Sequence, residues 1–223
     1  MIRANTRSRL TGADLQLVLL LLSRGSAHRR ARLERRLAVE GPDSLLDSPE
    51  LVERLLAVRT LLVPSEPLFL YVVVRHALRQ AAIDDRDLAD YLAAMLLDFG
   101  RRDRAWRVDW NDDQRHRYLV DILMDLEASN GPRRFKVMVH LGNYALWLAG
   151  LFPDYIAARH LRKGGPDLGY YDALGSRGFG LASDHELADE FGLNAVFRSA
   201  AERFPSVRTA LNTVSERVFF PMQ

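Results

Sequence analysis

Apolar residues recur at three- and four-residue spacing along almost the whole chain, and each run is bounded by a helix start or stop signal. That spacing buries one stripe of a helix; a half-buried strand needs alternation at period two, and no stretch here sustains it over a strand's length. Thr11 and Asp14 frame the start of a first helix ending near Ser23–Ser26, and a strongly basic second helix runs from Ala27 to Glu40 before Gly41 and Pro42. Ser48-Pro49-Glu50 provides an N-cap, a first-position proline and an acidic first turn ahead of Leu51, Leu55, Val58 and Leu62. Pro64-Ser65-Glu66-Pro67 closes that helix and opens the next, whose run of Phe69, Leu70, Val72, Val73, Ala77 and Leu78 reads as the most buried. Asp84 and Asp87 start another, through Leu88, Tyr91, Leu92, Met95 and Leu96 to Gly100.

Residues 100–111 are charged and aperiodic, and form the expected internal boundary. Asn111 with Gln114 three residues on makes a capping box for a helix through Tyr118, Leu119, Ile122, Leu123 and Leu126 to Asn130-Gly131. Pro132 opens an apolar helix from Phe135 to Leu151 that Pro153 ends or kinks, and a short helix spans Asp154 to Leu161. Ser183 with Glu186 caps a helix through Leu187, Phe191, Leu193, Val196 and Phe197 to Arg203, and Pro205-Ser206 starts the last one. The expected fold is all-α: an irregular bundle of nine or ten helices with no sheet. Residues 1–223 read as one helical domain, or as two packed halves, 1–100 and 111–223, joined by the charged loop. No repeat of fixed period appears, which argues against a solenoid.

The same residues exclude much chemistry. The chain of 223 residues has no cysteine, so disulfide scaffolds, Cys-ligated zinc, iron–sulfur clusters and thiol nucleophiles are out. His28, His76, His116, His140, His160 and His185 are scattered singly, with no pair at helical metal-ligand spacing and no Glu followed three residues later by His. Phosphate-binding Gly-rich loops ahead of a helix and the Gly-x-Ser-x-Gly elbow are absent. The reading therefore includes no metal and no cofactor, and leans away from catalysis, although residues assembled only by the fold remain open to it.

Charge is unevenly spread. Lys plus Arg number 31 against 29 acidic residues, yet residues 1–36 carry nine arginines against Asp14 and Glu34, net +7, and the rest of the chain is net −5. Only Lys136 and Lys163 are lysine, a bias typical of GC-rich bacterial genes. On the second helix, Arg29, Arg32 and Arg36 share one face and Arg30 lies beside it, so residues 27–37 are a candidate contact for a protein partner, a second copy of the chain, or nucleic-acid phosphates. The alternative is a solvated face, or pairing with Asp84, Asp85, Asp87 and Asp90 or with Asp109, Asp112 and Asp113. No apolar run reaches bilayer length. The longest, Leu15–Leu22, loosely imitates a signal peptide but is flanked by Asp14 and Arg24, so the expected setting is the bacterial cytoplasm.

A second candidate lies in the apolar helix. His140, Asn143 and Tyr144 fall near one face, with Trp147 one turn on, and their polar atoms need partners if buried. Together with Tyr171 and Arg177 they could line a pocket for a small ligand, or form a satisfied core network that fixes helix register. Gly142, Ala145 and Ala149 offer a small-residue stripe for close approach of a neighbour. Six glycines between Gly164 and Gly180 imply bent or tightly packed helices there. Gly175-Ser176-Arg177-Gly178 matches the Gly-x-x-Gly loop of KH domains only superficially, because that module needs a sheet.

Gly142-Asn143-x-x-Leu146-x-x-x-Gly150-x-Phe152-Pro153-Asp154, followed by Tyr170-Tyr171-x-x-x-Gly175, resembles a family of bacterial all-helical proteins with no assigned activity. In that family a Gly-Asp pair precedes the apolar turn, and Asn143 stands here in place of the Asp. The resemblance covers residues 135–185 and implies a bacterial, all-helical protein without supplying any chemistry. The leading expectation is a non-catalytic binding, regulatory or accessory protein that assembles with a protein partner or with itself. A small-ligand pocket around His140, Tyr144 and Tyr171 and nucleic-acid binding through 27–37 are the alternatives.

Overall fold

Local side-chain capping sets six of the helix starts among the described residues. The computed structural model describes residues 2–58 and 64–219. Helix α1 (Gly12–Ser23) begins with a capping box between Thr11 and Asp14, and α2 (Ala27–Glu40) begins with the Ser26 hydroxyl accepting from the Arg29 amide. Short α3 (Asp43–Leu46) and α4 (Pro49–Val58) follow; Leu62 lies outside the described residues. Ser65 caps α5 (Glu66–Gln80), and Asp85 caps α6 (Arg86–Phe99). A long connection containing a 3₁₀ turn, Arg104–Trp106, leads to α7 (Leu119–Ala128), α8 (Gly131–Leu151), α9 (Pro153–Lys163) and α10 (Leu168–Ser183). Then come α11 (Glu186–Glu190), α12 (Asn194–Glu202) and α13 (Phe204–Val214), which runs on into a π turn, Ser215–Phe219.

Among the described residues the fold is all-helical, with no strand, and holds thirteen α-helices rather than nine or ten. The additional ones are α3, the glycine-rich α10, and a break in the segment expected to be continuous from Ser183 to Arg203. That break sits at Gly192, whose φ of +65° is left-handed, and splits the segment into α11 and α12. Ser183 closes α10 instead of capping its successor, and the His185 imidazole takes the capping place by accepting from the Leu187 amide at 3.2 Å. The expected start at Asn111 is also displaced: α7 begins only at Leu119. Residues 109–116 are drawn into tertiary bonds. The Asp112 carboxylate accepts from the Asp109 amide at 3.0 Å and from Arg133 at 2.6 Å, and the His116 amide donates to the Trp106 carbonyl at 2.7 Å.

Helix α8 is central. α7, α10 and α13 pack on it, α13 also covers α5, and the α5–α6 pair meets α12. Helix α5 is not the most buried: eleven of the fourteen residues of α6 are buried, against eight of fifteen in α5. The expected small-residue stripe receives α10 at near-backbone contact. A Cβ on Gly178 would lie 2.7 Å from the Gly142 nitrogen and 3.0 Å from the Met138 carbonyl oxygen. One on Gly142 would lie 2.7 Å from the Phe179 ring. Glycine is costly within a helix, and here it is what lets two helices touch. Among the described residues, no helix is long and apolar enough to cross a membrane.

Candidate functional site

Convergent side chains build a half-enclosed cleft of about 660 Å³ beside α8. Its floor is Tyr144, Trp147 and Leu148, on consecutive turns of α8. Phe152, Tyr155 and Arg159 close one side from the α8–α9 junction and α9. Tyr170 and Tyr171, in the first turn of α10, and Pro166 ahead of it form another side. The remaining edge comes from the connection and the start of α7: Trp106, Arg117, Tyr118, Leu119 and Val120. Five of the chain's seven tyrosines and two of its three tryptophans meet here.

Local features fix these rings. Pro153 starts α9 directly after Phe152, whose ring meets Trp147 edge-on at 5.0 Å between centroids. Gly164, with a φ of +60°, ends α9, and the His160 Nδ1 lies 2.6 Å from the Gly165 carbonyl oxygen, which ties down the return toward α10. Tyr144 and Trp147 stack at 6.0 Å, and the Tyr144 hydroxyl donates to the Arg117 carbonyl at 2.7 Å, fastening the connection to the floor. The Arg117 guanidinium lies over Trp106 at 5.1 Å and that of Arg159 over Tyr118 at 5.0 Å. Burial raises the pKa of both the Tyr144 and the Tyr171 phenol, so each remains a neutral hydroxyl. Among the described residues the lining includes no carboxylate, imidazole or thiol. Such a surface can stack, exclude water and offer hydroxyl and guanidinium donors, but it holds no acid–base pair.

Of the six residues expected at a pocket, the structure brings Tyr144, Trp147 and Tyr171 together. His140 and Asn143 lie beneath the floor, at 3% and 2% exposure. Asn143 accepts from the Tyr91 hydroxyl at 2.9 Å in the core. His140 packs among Phe99, Tyr144 and His116, and its Nε2 has no hydrogen-bond partner among the described residues. Burial, followed by the charges of Arg104, His116 and Arg133, holds its pKa well below the ordinary imidazole value. Arg177 is exposed on α10 and does not line the cleft. Trp106, Arg117, Tyr118, Tyr155, Arg159 and Tyr170 were not among the sequence candidates. The signal that could have found part of the set is the crowding of tyrosines between Tyr118 and Tyr171.

A second polar group surrounds the fully buried His116, whose Nε2 lies 3.2 Å from Asp125. Burial pushes the Asp125 carboxyl up, but hydrogen bonds from Arg133 and Ser129 and the charges around it prevail and hold it below the usual range. Among the described residues, no group of three or more potential ligands could hold a metal ion.

The basic helix α2 has no buried residue. Arg29 pairs with Glu50 at 3.3 Å, Arg30 with Glu34 at 2.8 Å and Arg36 with Glu40 at 3.1 Å. The partners are thus neighbouring glutamates, not the aspartates considered from the sequence, which pair elsewhere: Asp84 with Arg75, Asp87 with Arg7, Asp112 with Arg133. Arg32 is exposed and forms no ion pair among the described residues.

Comparison with protein-family models, with curated proteins and with solved structures returns no match for this chain.

Proposed function

We propose that this is a non-catalytic small-molecule-binding protein, and that its ligand is a planar, largely apolar compound held in the aromatic cleft beside α8. The observation that carries this reading is the concentration of eight aromatic side chains around one cleft of about 660 Å³. Small-molecule sites are of this size and are lined mainly by aromatic and apolar groups with a few polar ones. The lack of an acid–base pair in the lining favours binding over turnover. Capture of a protein partner or of phosphates through α2 has less support, because Arg29, Arg30 and Arg36 are already neutralised by glutamates of the same chain. The setting we propose, the bacterial cytoplasm, rests on the arginine bias of the sequence.

The test is a ligand-observed NMR screen of one- and two-ring aromatic compounds against the protein and against Leu148→Trp, which fills the floor of the cleft. Leu148 is only partly buried and lines the cleft, which has room for the larger ring. Hits that compete with one another on the unaltered protein and vanish on the filled variant, at an unchanged melting temperature, support the reading. An absence of hits, or hits indifferent to the filling, overturns it.

A further inference from the structure

We infer that the ligand of this cleft is an aromatic acid, bound as its anion, with Arg117 and Arg159 as the counter-ions of its acidic group. This inference rests on the small-molecule reading of the cleft.

The charge balance of the lining comes first. Among the described residues, the only charged ones that line the cleft are these two arginines. Neither has a carboxylate within ion-pairing distance among the described residues, whereas the inward-facing Arg75, Arg104, Arg133 and Arg208 each hold an aspartate. A half-enclosed aromatic cleft with positive charge and no negative charge selects a ligand that brings the negative charge itself.

The placement of the guanidiniums comes second. Each lies over an aromatic ring, Arg117 over Trp106 and Arg159 over Tyr118. A guanidinium resting on a ring face keeps its in-plane N–H groups at the edge, where they can meet a carboxylate through two parallel hydrogen bonds. The rings thus hold the cations without using up their donors.

The seating of Arg159 is itself specific. A Cβ at Gly165 would lie 3.1 Å from the Arg159 Cγ, so the missing side chain gives the arginine stem room to lie across the α9–α10 turn. From there its charge acts on the phenols of both Tyr144 and Tyr171, on the floor and the α10 side of the cleft. Gly165 is in this sense a positioning residue, and the Tyr171 hydroxyl is a further neutral donor for the same anion, that of Tyr144 being engaged by the Arg117 carbonyl.

The experiment uses matched pairs of probes that differ in charge and hardly in shape: benzoate and benzamide, indole-3-acetate and indole-3-acetamide, 2-naphthoate and 2-naphthamide. Affinities are measured by calorimetry on the unaltered protein, Arg117→Gln, Arg159→Gln and Arg159→Lys. We expect the acid of the best-fitting pair to bind about tenfold or more tightly than its amide. That preference should fall toward unity in the Gln variants and be partly retained in Arg159→Lys, with melting temperatures unchanged. Equal affinity for acid and amide overturns this inference and leaves the cleft reading standing. A preference that survives both Gln substitutions also overturns it. Failure of every probe, acid and amide alike, removes the cleft reading and this inference with it.

Discussion

The Tyr91 hydroxyl donates to the Asn143 side-chain oxygen at 2.9 Å, joining α6 to α8 through two side chains that are both essentially removed from solvent. Tyr91 also meets Phe197 and Phe179 edge-on, so the hydroxyl is the polar end of a ring locked in the core. Burial drives the Tyr91 phenol above its ordinary range, which keeps it a donor at all accessible pH. Tyr91→Phe leaves the Asn143 acceptor buried and unpaired. Denaturant unfolding should show a loss of about 1–3 kcal/mol. A change within measurement error would mean that Asn143 finds another partner.

The α8–α10 crossing predicts opposite outcomes for two glycines two residues apart. Gly178→Ala sets a methyl group against the backbone of α8, 2.7 Å from the Gly142 nitrogen, and backbone cannot step aside as a flexible side chain can. The expected cost is about 1–3 kcal/mol or more. Gly180→Ala meets nothing nearer than Ala201 at 4.0 Å and should gain up to about 1 kcal/mol from helix propensity. Thermal melts of the two variants side by side check the sign of each.

Arg75 is the largest fully buried side chain, and its Nε lies 2.8 Å from Asp47. Asp47→Ala leaves the buried guanidinium with only the solvent-exposed Asp84 and should cost about 3 kcal/mol. Asp84, the other carboxylate on Arg75, is open to solvent, and Asp84→Ala should cost far less. Burial raises the Asp47 carboxyl, but bonds from Arg75 and Arg86 outweigh it and hold the group below its usual 3.8. The stability it contributes is therefore fully present above 3.8 and lost as the pH falls through the lower folded value. Acid titration of the unfolding free energy should show a smaller loss in Asp47→Ala than in the parent protein, the remainder coming from other carboxylates held low, such as Asp125 and Asp14.

His140 acts at milder pH. Its folded pKa lies well below 6.5, through burial first and then the charges of Arg104, His116 and Arg133, while the unfolded chain titrates near 6.5. Above that value neither state is protonated. Below it the unfolded state takes up a proton that the folded state refuses, and stability falls by up to about 1.4 kcal/mol per pH unit. His76 is shifted in the same direction, by burial and then by Arg217. Guanidinium unfolding between pH 7 and 5 should therefore be compared in His140→Gln and His76→Gln, and the flatter profile should belong to His140→Gln.

Most of the helix starts were legible because their caps are local: Thr11 with Asp14, Ser26 with Arg29 and Ser65 with Leu68 each close within one turn. The segment after Asn111 was not, because its backbone bonds to the Trp106 carbonyl and the Arg107 guanidinium, and its Asp112 carboxylate is held by Arg133 of a neighbouring element. The cleft was half visible for a similar reason. His140, Asn143, Tyr144 and Trp147 lie near one face on a helical wheel, but α8 is covered on nearly every side. Neighbouring positions on that face therefore enter different surroundings: Asn143 meets Tyr91, His140 meets Phe99 and His116, and Tyr144 and Trp147 face the cleft. Arg117 and Arg159 carried no local signal in a chain so rich in arginine.

The glycine crossing has a consequence for recognition. Gly178 meets Gly142, and Gly175 meets Ala145 beside Tyr144, so the floor of the cleft and its α10 side are held at a separation that no rotamer can change. A guest of the kind we propose would enter a slot of preset thickness and lose little ordering entropy on arrival. Any accommodation falls to the α9 side and the edge around Trp106 and Tyr118. Tolerance for guest length is thus assigned to the rim, while tolerance for guest thickness is assigned to three glycines that line no part of the cleft.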